Sequence, residues 1–289
     1  MQNIMFCGFA IILAGVLGVQ TAPWENPVRV ALRKGEPVFA LGVSTTDART
    51  ATTLANLGFD FLWIEQEHGP VSLESVSNLV LATRGSRTVP FVRVPAPVDW
   101  MAKPVLDSGA LGVVFPHVNT AEDARRVVQA CKFPPLGHRG VGTGVGGIRW
   151  ASPEGYYEFA NRNVMTIVIV EEGTAVENVE AIAATPGLEM VFIGTTDLSA
   201  SLGVRGQPNH PKMQAAIERI IAACKKNKVW VGTNASPTVE GIKQQMAQGL
   251  QWFFAGYSDT LLNAGAQQYL GPWGKDKNRV DWTKVPLTY

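Results

Sequence analysis

The sequence predicts a single-domain α/β protein of the (β/α)8 TIM-barrel class. Three observations carry that expectation. Short apolar runs rich in Val, Ile, Phe and Trp recur eight times between residues 37 and 256. Stretches with helical periodicity separate them. Each run ends in polar residues or glycine. Continuous apolar runs suit strands buried on both faces of a parallel sheet, and their alternation with helices builds βα units. An open doubly wound sheet uses the same alternation, but eight evenly spaced units favour closure.

Composition agrees. The chain has 289 residues, 46% hydrophobic and 17% charged, enough for a large core and incompatible with global disorder. A formal charge of +1, with no Lys/Arg run, gives no electrostatic case for nucleic acid. Cys7, Cys131 and Cys224 form neither a metal-ligand spacing nor a disulfide framework and read as small buried hydrophobes. A compact enzyme acting on a small polar molecule is what remains.

The N-terminus stands apart. "IMFCGFAIILAGVLGV" (4–19) is unbroken apolar sequence. It falls short of the ~20 residues of a membrane span and suits a signal-peptide core. Against cleavage, "MQN" lacks a basic residue and Pro23 follows poorly after a cut. The expectation is a leader over 1–22 and an exported or periplasmic protein, with an uncleaved anchor or a cytoplasmic chain as alternatives. The barrel domain is placed at 23–270 and a polar tail at 271–289. No membrane partner is expected beyond the leader.

The elements follow in order. "PVFALGVS" (37–44) is the first strand, and "TTDARTATTLANLG" (45–58) a helix that opens on capping residues and stops at Gly58. "FDFLWIEQ" (59–66) is the second strand; "SLESVSNLVLATRG" (72–85) has Ser72 as cap and Glu74 in its first turn. "TVPFVRV" (88–94) and "ALGVVFPHV" (110–118) are strands three and four, and "NTAEDARRVVQACK" (119–132) a helix capped by Asn119 or Thr120. "FPPLGHRGVGTGVGGIRWAS" (133–152) is the longest irregular insertion. Its glycines lack the Lys-Ser/Thr of a P-loop and no strand leads into them, so an active-site flap is expected rather than a nucleotide site. "VMTIVIVEE" (164–172) and "LEMVFIG" (188–194) are strands five and six. "HPKMQAAIERIIAACKK" (210–226) is a helix with Pro211 at its start and lysines at its end. "KVWVGTN" (228–234) and "LQWFFAG" (250–256) complete the eight strands.

In such a barrel the active site forms at the C-terminal strand ends. Candidates there are Glu65, Glu67 and His68, then Arg93, His117, Glu171, Glu172, Asp197, Asn234 and Asp259. A hard divalent cation takes one or two carboxylates and leaves positions for water and substrate. A glutamate ending the fifth strand, with Asp197 past the sixth, supplies such a pair. Strand alternation turns only one of Glu171 and Glu172 inward, and spacing alone does not say which. Arg93 would add positive charge near a developing oxyanion, and His68 would move a proton. Blander readings compete: Asp197 as the cap of "LSASLG", His68 as a structural histidine, His138 and His210 as surface residues. No lysine ends a strand, which argues against Schiff-base chemistry.

Together "GFDFLWIEQEHGP", "VPFVRVP", "GALGVVFPHVNTAEDAR", "FPPLGHRGVG", "VIVEEGTAVENVEAI" and "VFIGTTDLSASLG" resemble, in this order, the HpcH/HpaI family of metal-dependent class II pyruvate aldolases. The resemblance covers roughly residues 27 to 268. It implies a homohexameric (β/α)8 barrel whose last helix is exchanged between neighbours. It implies a lyase that cleaves 4-hydroxy-2-oxo acids to pyruvate, or a related 2-oxo acid, and an aldehyde, through a metal-stabilised enolate. It selects Glu171, four residues before Ala175, as metal ligand beside Asp197, with Mg2+, Mn2+ or Co2+ as cofactor. It makes His68, Arg93 and Glu65 catalytic, and places the substrate carboxylate at Gly194, Thr196 and Asp197. Two positions depart from the family: Glu65 replaces an aspartate that pairs with the histidine, and Ile169 replaces a glutamine near the metal. A related carbon–carbon lyase, an oxaloacetate decarboxylase, or a non-catalytic exported 2-oxo-acid-binding barrel are the competing functions.

Overall fold

The computed structural model describes residues 23–142 and 144–275. The predicted leader, Cys7 and all but the first residues of the predicted tail lie outside them. Eight parallel strands close into a barrel in sequence order. They are β1 (Val38–Val43), β2 (Phe61–Glu65), β3 (Val89–Arg93), β4 (Gly112–Phe115), β5 (Met165–Val170), β6 (Met190–Ile193), β7 (Trp230–Asn234) and β8 (Trp252–Tyr257). The helices are α1 (Pro27–Arg33), α2 (Ala48–Ala55), α3 (Leu73–Ala82), α4 (Asp99–Asp107), α5 (Ala121–Ala130), α6 (Gly144–Arg149) and α7 (Tyr156–Asn163), then α8 (Gly173–Glu177), α9 (Val179–Ala183), α10 (Thr195–Ser201), α11 (Pro211–Asn227), α12 (Val239–Gln248) and α13 (Ser258–Leu270). Among the described residues no helix is long and apolar enough to cross a membrane.

The expected caps act. Asp47, Ser72 and Thr120 each accept a first-turn N–H, and Thr120 with Asp123 completes a capping box. His210 caps α11 instead of standing idle on the surface.

Strand alternation divides the core in two. Val168 and Val170 face the helices, while Ile167 and Ile169 face the barrel interior with Phe61, Trp63, Phe91, Phe192 and Trp252. Rings fill that interior: Phe61 stacks on Phe91 at 4.5 Å, and Trp63 meets Phe254 at 5.2 Å. Glycines on neighbouring strands make the room. A Cβ on Gly112 would lie 2.5 Å from Phe91, and one on Gly232 would lie 2.3 Å from Trp252. Truncating Trp63 or Trp252 to alanine is expected to cost about 3–5 kcal/mol. α1 inserts Val28 and Leu32 into the same inner cluster and so plugs the N-terminal end. The aromatic packing fills the middle of the barrel, so a site built from strand ends lies at its C-terminal mouth.

The 133–152 segment corrects an expectation. It does not cover the active site. It connects a helix to the start of β5, so topology carries it to the opposite end of the barrel. Part of it is α6, and Arg139 anchors it to Asp107 at 2.7 Å. Cys131 and Cys224 are buried, and burial pushes their thiols up to about 11 and about 12, as inert core residues require.

Candidate active site

A cavity of about 300 Å3 opens at the C-terminal mouth. Trp63, Ile169, Phe192 and Phe254 give it an apolar floor, and His68, Arg93, Glu171, Gly194, Thr196, Asp197 and Tyr257 line its polar part. The barrel therefore brings His68, Arg93, Glu171 and Asp197 to one space. A larger cavity of about 560 Å3 adjoins it and shares Thr195, Thr196 and Asn234. Asp259 lies apart, within 3.3 Å of the Ser44 hydroxyl.

Glu65 and Arg93 end paired strands in direct register. The Arg93 Nε donates to Glu65 Oε2 at 2.7 Å, and both residues are buried. Trp63 Nε1 and the Tyr257 hydroxyl also donate to Oε2, at 3.2 and 3.0 Å. Backbone N–H groups of Glu67 and His68 donate to Oε1, at 2.7 and 3.1 Å. Burial raises the Glu65 carboxyl, but the bond and charge of Arg93, with the His68 N–H, outweigh it and hold the group below the usual carboxylate range. Burial works against the Arg93 charge too, and Glu65 outweighs it, so the guanidinium is held more firmly protonated.

Glu65 does not orient the His68 ring, contrary to expectation. Its carboxylate is saturated by donors of the tight 65–68 turn and by Arg93, and it fixes His68 by the backbone. The ring projects from that turn with 65% of its side chain exposed, 3.8 Å from Glu67 Oε2.

Glu67 was a candidate only by position. It is half-buried, with its Oε2 sunk 2.9 Å from Arg93 Nη1, yet that oxygen makes no hydrogen bond. Burial dominates there and raises its carboxyl despite Arg93 and His68.

On β5 the alternation decides between two glutamates. Ile167 and Ile169 face inward, so Glu171 enters the cavity and Glu172 turns out to pair with His117 Nδ1 at 3.0 Å. His117 adopts the left-handed region, with φ 52°, and this turns its N–H onto Glu171 Oε1 at 2.7 Å. Burial raises the Glu171 carboxyl, the His117 contacts oppose it, and the charges of Glu67 and Asp197 add to the rise. A Cβ on Gly194 would lie 2.7 Å from Glu171 Cβ and 2.9 Å from Oε2, so only glycine lets the carboxylate stand here. Asp197 sits exposed in the first turn of α10, whose cap is Gly194; the capping role considered for Asp197 is not the one it takes.

Glu171 and Asp197 suit a divalent cation. They are two oxygen donors on one cavity, and their mutual repulsion is what a cation would relieve. Among the described residues no group of three or more His, Cys, Asp or Glu could hold an ion by itself. The pair would therefore leave coordination positions to water and substrate.

Tyr257 is the site residue that sequence reasoning missed. Its hydroxyl donates to Glu65, accepts from Arg93 Nη2 at 3.1 Å, and lines the cavity. Burial pushes it up to about 12, so it stays protonated and remains a donor. The run 250–256 stops one residue short of it; its signal was a tyrosine ending the eighth strand.

The profile of the HpcH/HpaI aldolase/citrate lyase family matches residues 39–262. A hydroxypyruvate/pyruvate aldolase of Roseobacter denitrificans is 40% identical over 197 residues, 68% of this chain and 77% of that protein. A 2-keto-3-deoxy-L-rhamnonate aldolase of Salmonella schwarzengrund is 40% identical over 201 residues, 69% of this chain and 74% of that protein. Among solved structures, a HpcH/HpaI aldolase/citrate lyase family protein from Burkholderia cenocepacia superposes with a TM-score of 0.78 and 34% identity, covering 86% of this chain and 99% of that one.

Proposed function

The chain belongs to the HpcH/HpaI aldolase/citrate lyase family, and from that premise we propose that it is an aldolase. It cleaves a 4-hydroxy-2-oxo acid to pyruvate, or a close 2-oxo acid, and an aldehyde, and runs the reverse condensation. The observation that carries this reading is the convergence of His68, Arg93, Glu171 and Asp197 on one cavity. The names of the Roseobacter and Salmonella relatives, a hydroxypyruvate/pyruvate aldolase and a 2-keto-3-deoxy-L-rhamnonate aldolase, support a 2-oxo-acid donor.

First-turn N–H groups of α10, at Thr196 and Asp197, have no helical acceptor and suit the substrate carboxylate. Gly194 keeps that approach open. Cleavage removes the C4 hydroxyl proton, breaks C3–C4 and moves the electron pair toward the C2 oxygen. Arg93, kept charged by Glu65, stabilises the negative charge that develops there. His68, at the mouth, accepts the hydroxyl proton through water and returns it at C3. The apolar floor of Trp63, Ile169, Phe192 and Phe254 keeps bulk water from the reacting carbons. Glu171 and Asp197 would hold Mg2+, Mn2+ or Co2+, which when bound supplies Lewis-acid polarisation of the carbonyl.

Assembly with copies of itself, hexameric by the resemblance, belongs to the same proposal. α12 buries no residue and α13 only Ser258, while Val239 and Leu262 stay exposed, which supports a covering partner. Export is proposed on the apolar 4–19 stretch alone.

The test is exchange of the pyruvate methyl protons into heavy water, followed by NMR. Exchange should stop in EDTA and return with Mn2+. Full exchange in EDTA, or in Arg93→Ala, overturns the reading.

A further inference from the structure

The end of the barrel opposite the mouth carries a grouping of charge and aromatic surface that the aldolase chemistry leaves unused. Arg84, Arg87, Arg149, Trp24 and Trp150 line one cavity of about 360 Å3. A neighbouring cavity of about 700 Å3 shares Trp24, Arg149 and Trp150. All of them sit at the N-terminal ends of the strands. Arg84 and Arg87 belong to the loop entering β3. The Trp150 Nε1 donates to the Gly109 carbonyl, just before β4, at 2.8 Å, and Arg149 donates to Thr83 Oγ1 at 2.6 Å. Trp24 precedes α1, whose cap Asn26 is bonded to Asn163 ahead of β5.

The positive charge is uncompensated. Among the described residues Arg84, Arg87 and Arg149 have no carboxylate partner. The two glutamates on these cavities, Glu25 and Glu154, are held by other arginines, Arg33 and Arg162. The Arg149 guanidinium lies 4.5 Å over the Trp150 ring, and its Nε is buried without a hydrogen-bond partner. Burial and the charge of Arg84 push Arg149 down to about 10, as expected of a cation that lacks a counter-ion.

What would supply the counter-charge follows from where the chain runs. Residues 4–19 are apolar and join the described structure on this same face, at Pro23. Tryptophan rings and arginines on the face from which the chain leads to an apolar sequence match the chemistry of a lipid headgroup layer, where Trp sits at the interface and Arg meets phosphate. Trp24 is 43% exposed, and Arg84 and Arg87 stand exposed around half-buried Arg149 and Trp150, a shape suited to a surface more than to a small enclosed ligand. We propose that the N-terminal face of this barrel docks on an anionic lipid bilayer, with Arg84, Arg87 and Arg149 toward the phosphates and Trp24 and Trp150 at headgroup depth. The catalytic mouth then points away from the membrane and stays open to soluble substrate. The proposal stands independently of the aldolase reading.

The full chain is mixed with phosphatidylcholine vesicles, with or without phosphatidylglycerol, and separated by flotation. Binding through residues 4–19 alone sets the phosphatidylcholine baseline. Partition onto phosphatidylglycerol vesicles should exceed that baseline and fall with added salt. Arg84→Gln/Arg87→Gln, at two exposed positions without partners, should cut that partition roughly tenfold to thirtyfold, at about 1 kcal/mol per arginine, and leave the baseline unchanged. Equal partition onto both vesicles, or a preference that survives the double substitution, overturns the proposal. So does displacement by inorganic phosphate at matched ionic strength, which would assign the arginines to a free phosphoanion.

Discussion

Gly42 and Tyr257 face each other across the seam where β8 closes on β1, and a Cβ on Gly42 would lie 2.4 Å from Cδ1 of the tyrosine. The missing side chain gives the ring its place, and the ring carries its hydroxyl to Glu65 and Arg93. Gly42→Ala should therefore overpack the seam at a cost of about 1–3 kcal/mol and displace Tyr257. Tyr257→Phe keeps the packing and removes one donor from a buried carboxylate, for about 1 kcal/mol. If Tyr257 positions Arg93, both variants lower kcat more than they raise KM. Melting temperature and steady-state kinetics separate the two effects. Unchanged kcat in both would make Tyr257 a packing residue.

Glu65 and Glu67 are two residues apart and should respond oppositely to loss of charge. The Glu65 carboxyl is held below its ordinary value of 4.5 in the folded chain. Its contribution is present above that value and is lost as pH falls through the lowered one. Glu65→Gln should cost about 3 kcal/mol at neutral pH, since it strands the buried Arg93, and much less in acid. Glu67 is raised. A group raised on folding favours the folded state below its unfolded value and loses that contribution as pH rises. Glu67→Gln should leave stability at neutral pH unchanged or higher. Melting curves of both variants at pH 7 and pH 4 check the contrast, and equal losses at pH 7 would refute it.

The barrel was legible because its strands are buried on both faces and so appear as unbroken Val, Ile, Phe and Trp runs. The convergence of His68, Arg93, Glu171 and Asp197 was legible because closure directs every strand end to one mouth. The Gly42–Tyr257 pair was not, because its partners meet only when the last strand closes on the first. The contact of Glu65 was misjudged for a local reason. Two backbone N–H groups of its own turn compete for the carboxylate, and the His68 ring loses. The 133–152 segment was misplaced because glycine content was weighed above topology: a stretch that follows a helix and precedes a strand belongs to the N-terminal end.

His68 should be separable from stability. Its ring is largely exposed, and the turn is held through its backbone N–H, which any residue supplies. His68→Gln is expected to leave the melting temperature within about 1 °C, as a surface change does, and to lower kcat by roughly 10²–10⁴-fold. If the ring moves the proton, the exchange of pyruvate methyl protons falls along with cleavage. Exchange at the native rate would move that role to another group.

Glu171 and Asp197 should respond differently to substitution because they are buried differently. Glu171 carries a hydrogen bond from the His117 N–H, and burial raises its carboxyl. Glu171→Gln keeps an acceptor for that N–H and removes a charge that burial disfavours, so the metal-free variant should be no less stable than the native chain, which melting curves of the two check. Asp197 is exposed, and Asp197→Asn should leave stability unchanged. Both variants should lose Mn2+ binding in calorimetry, because neither amide can neutralise the ion. In the native chain Mn2+ should raise the melting temperature, as any ligand of the folded state does, and in the variants it should not. Native-like Mn2+ affinity in either variant would remove that residue from the metal site.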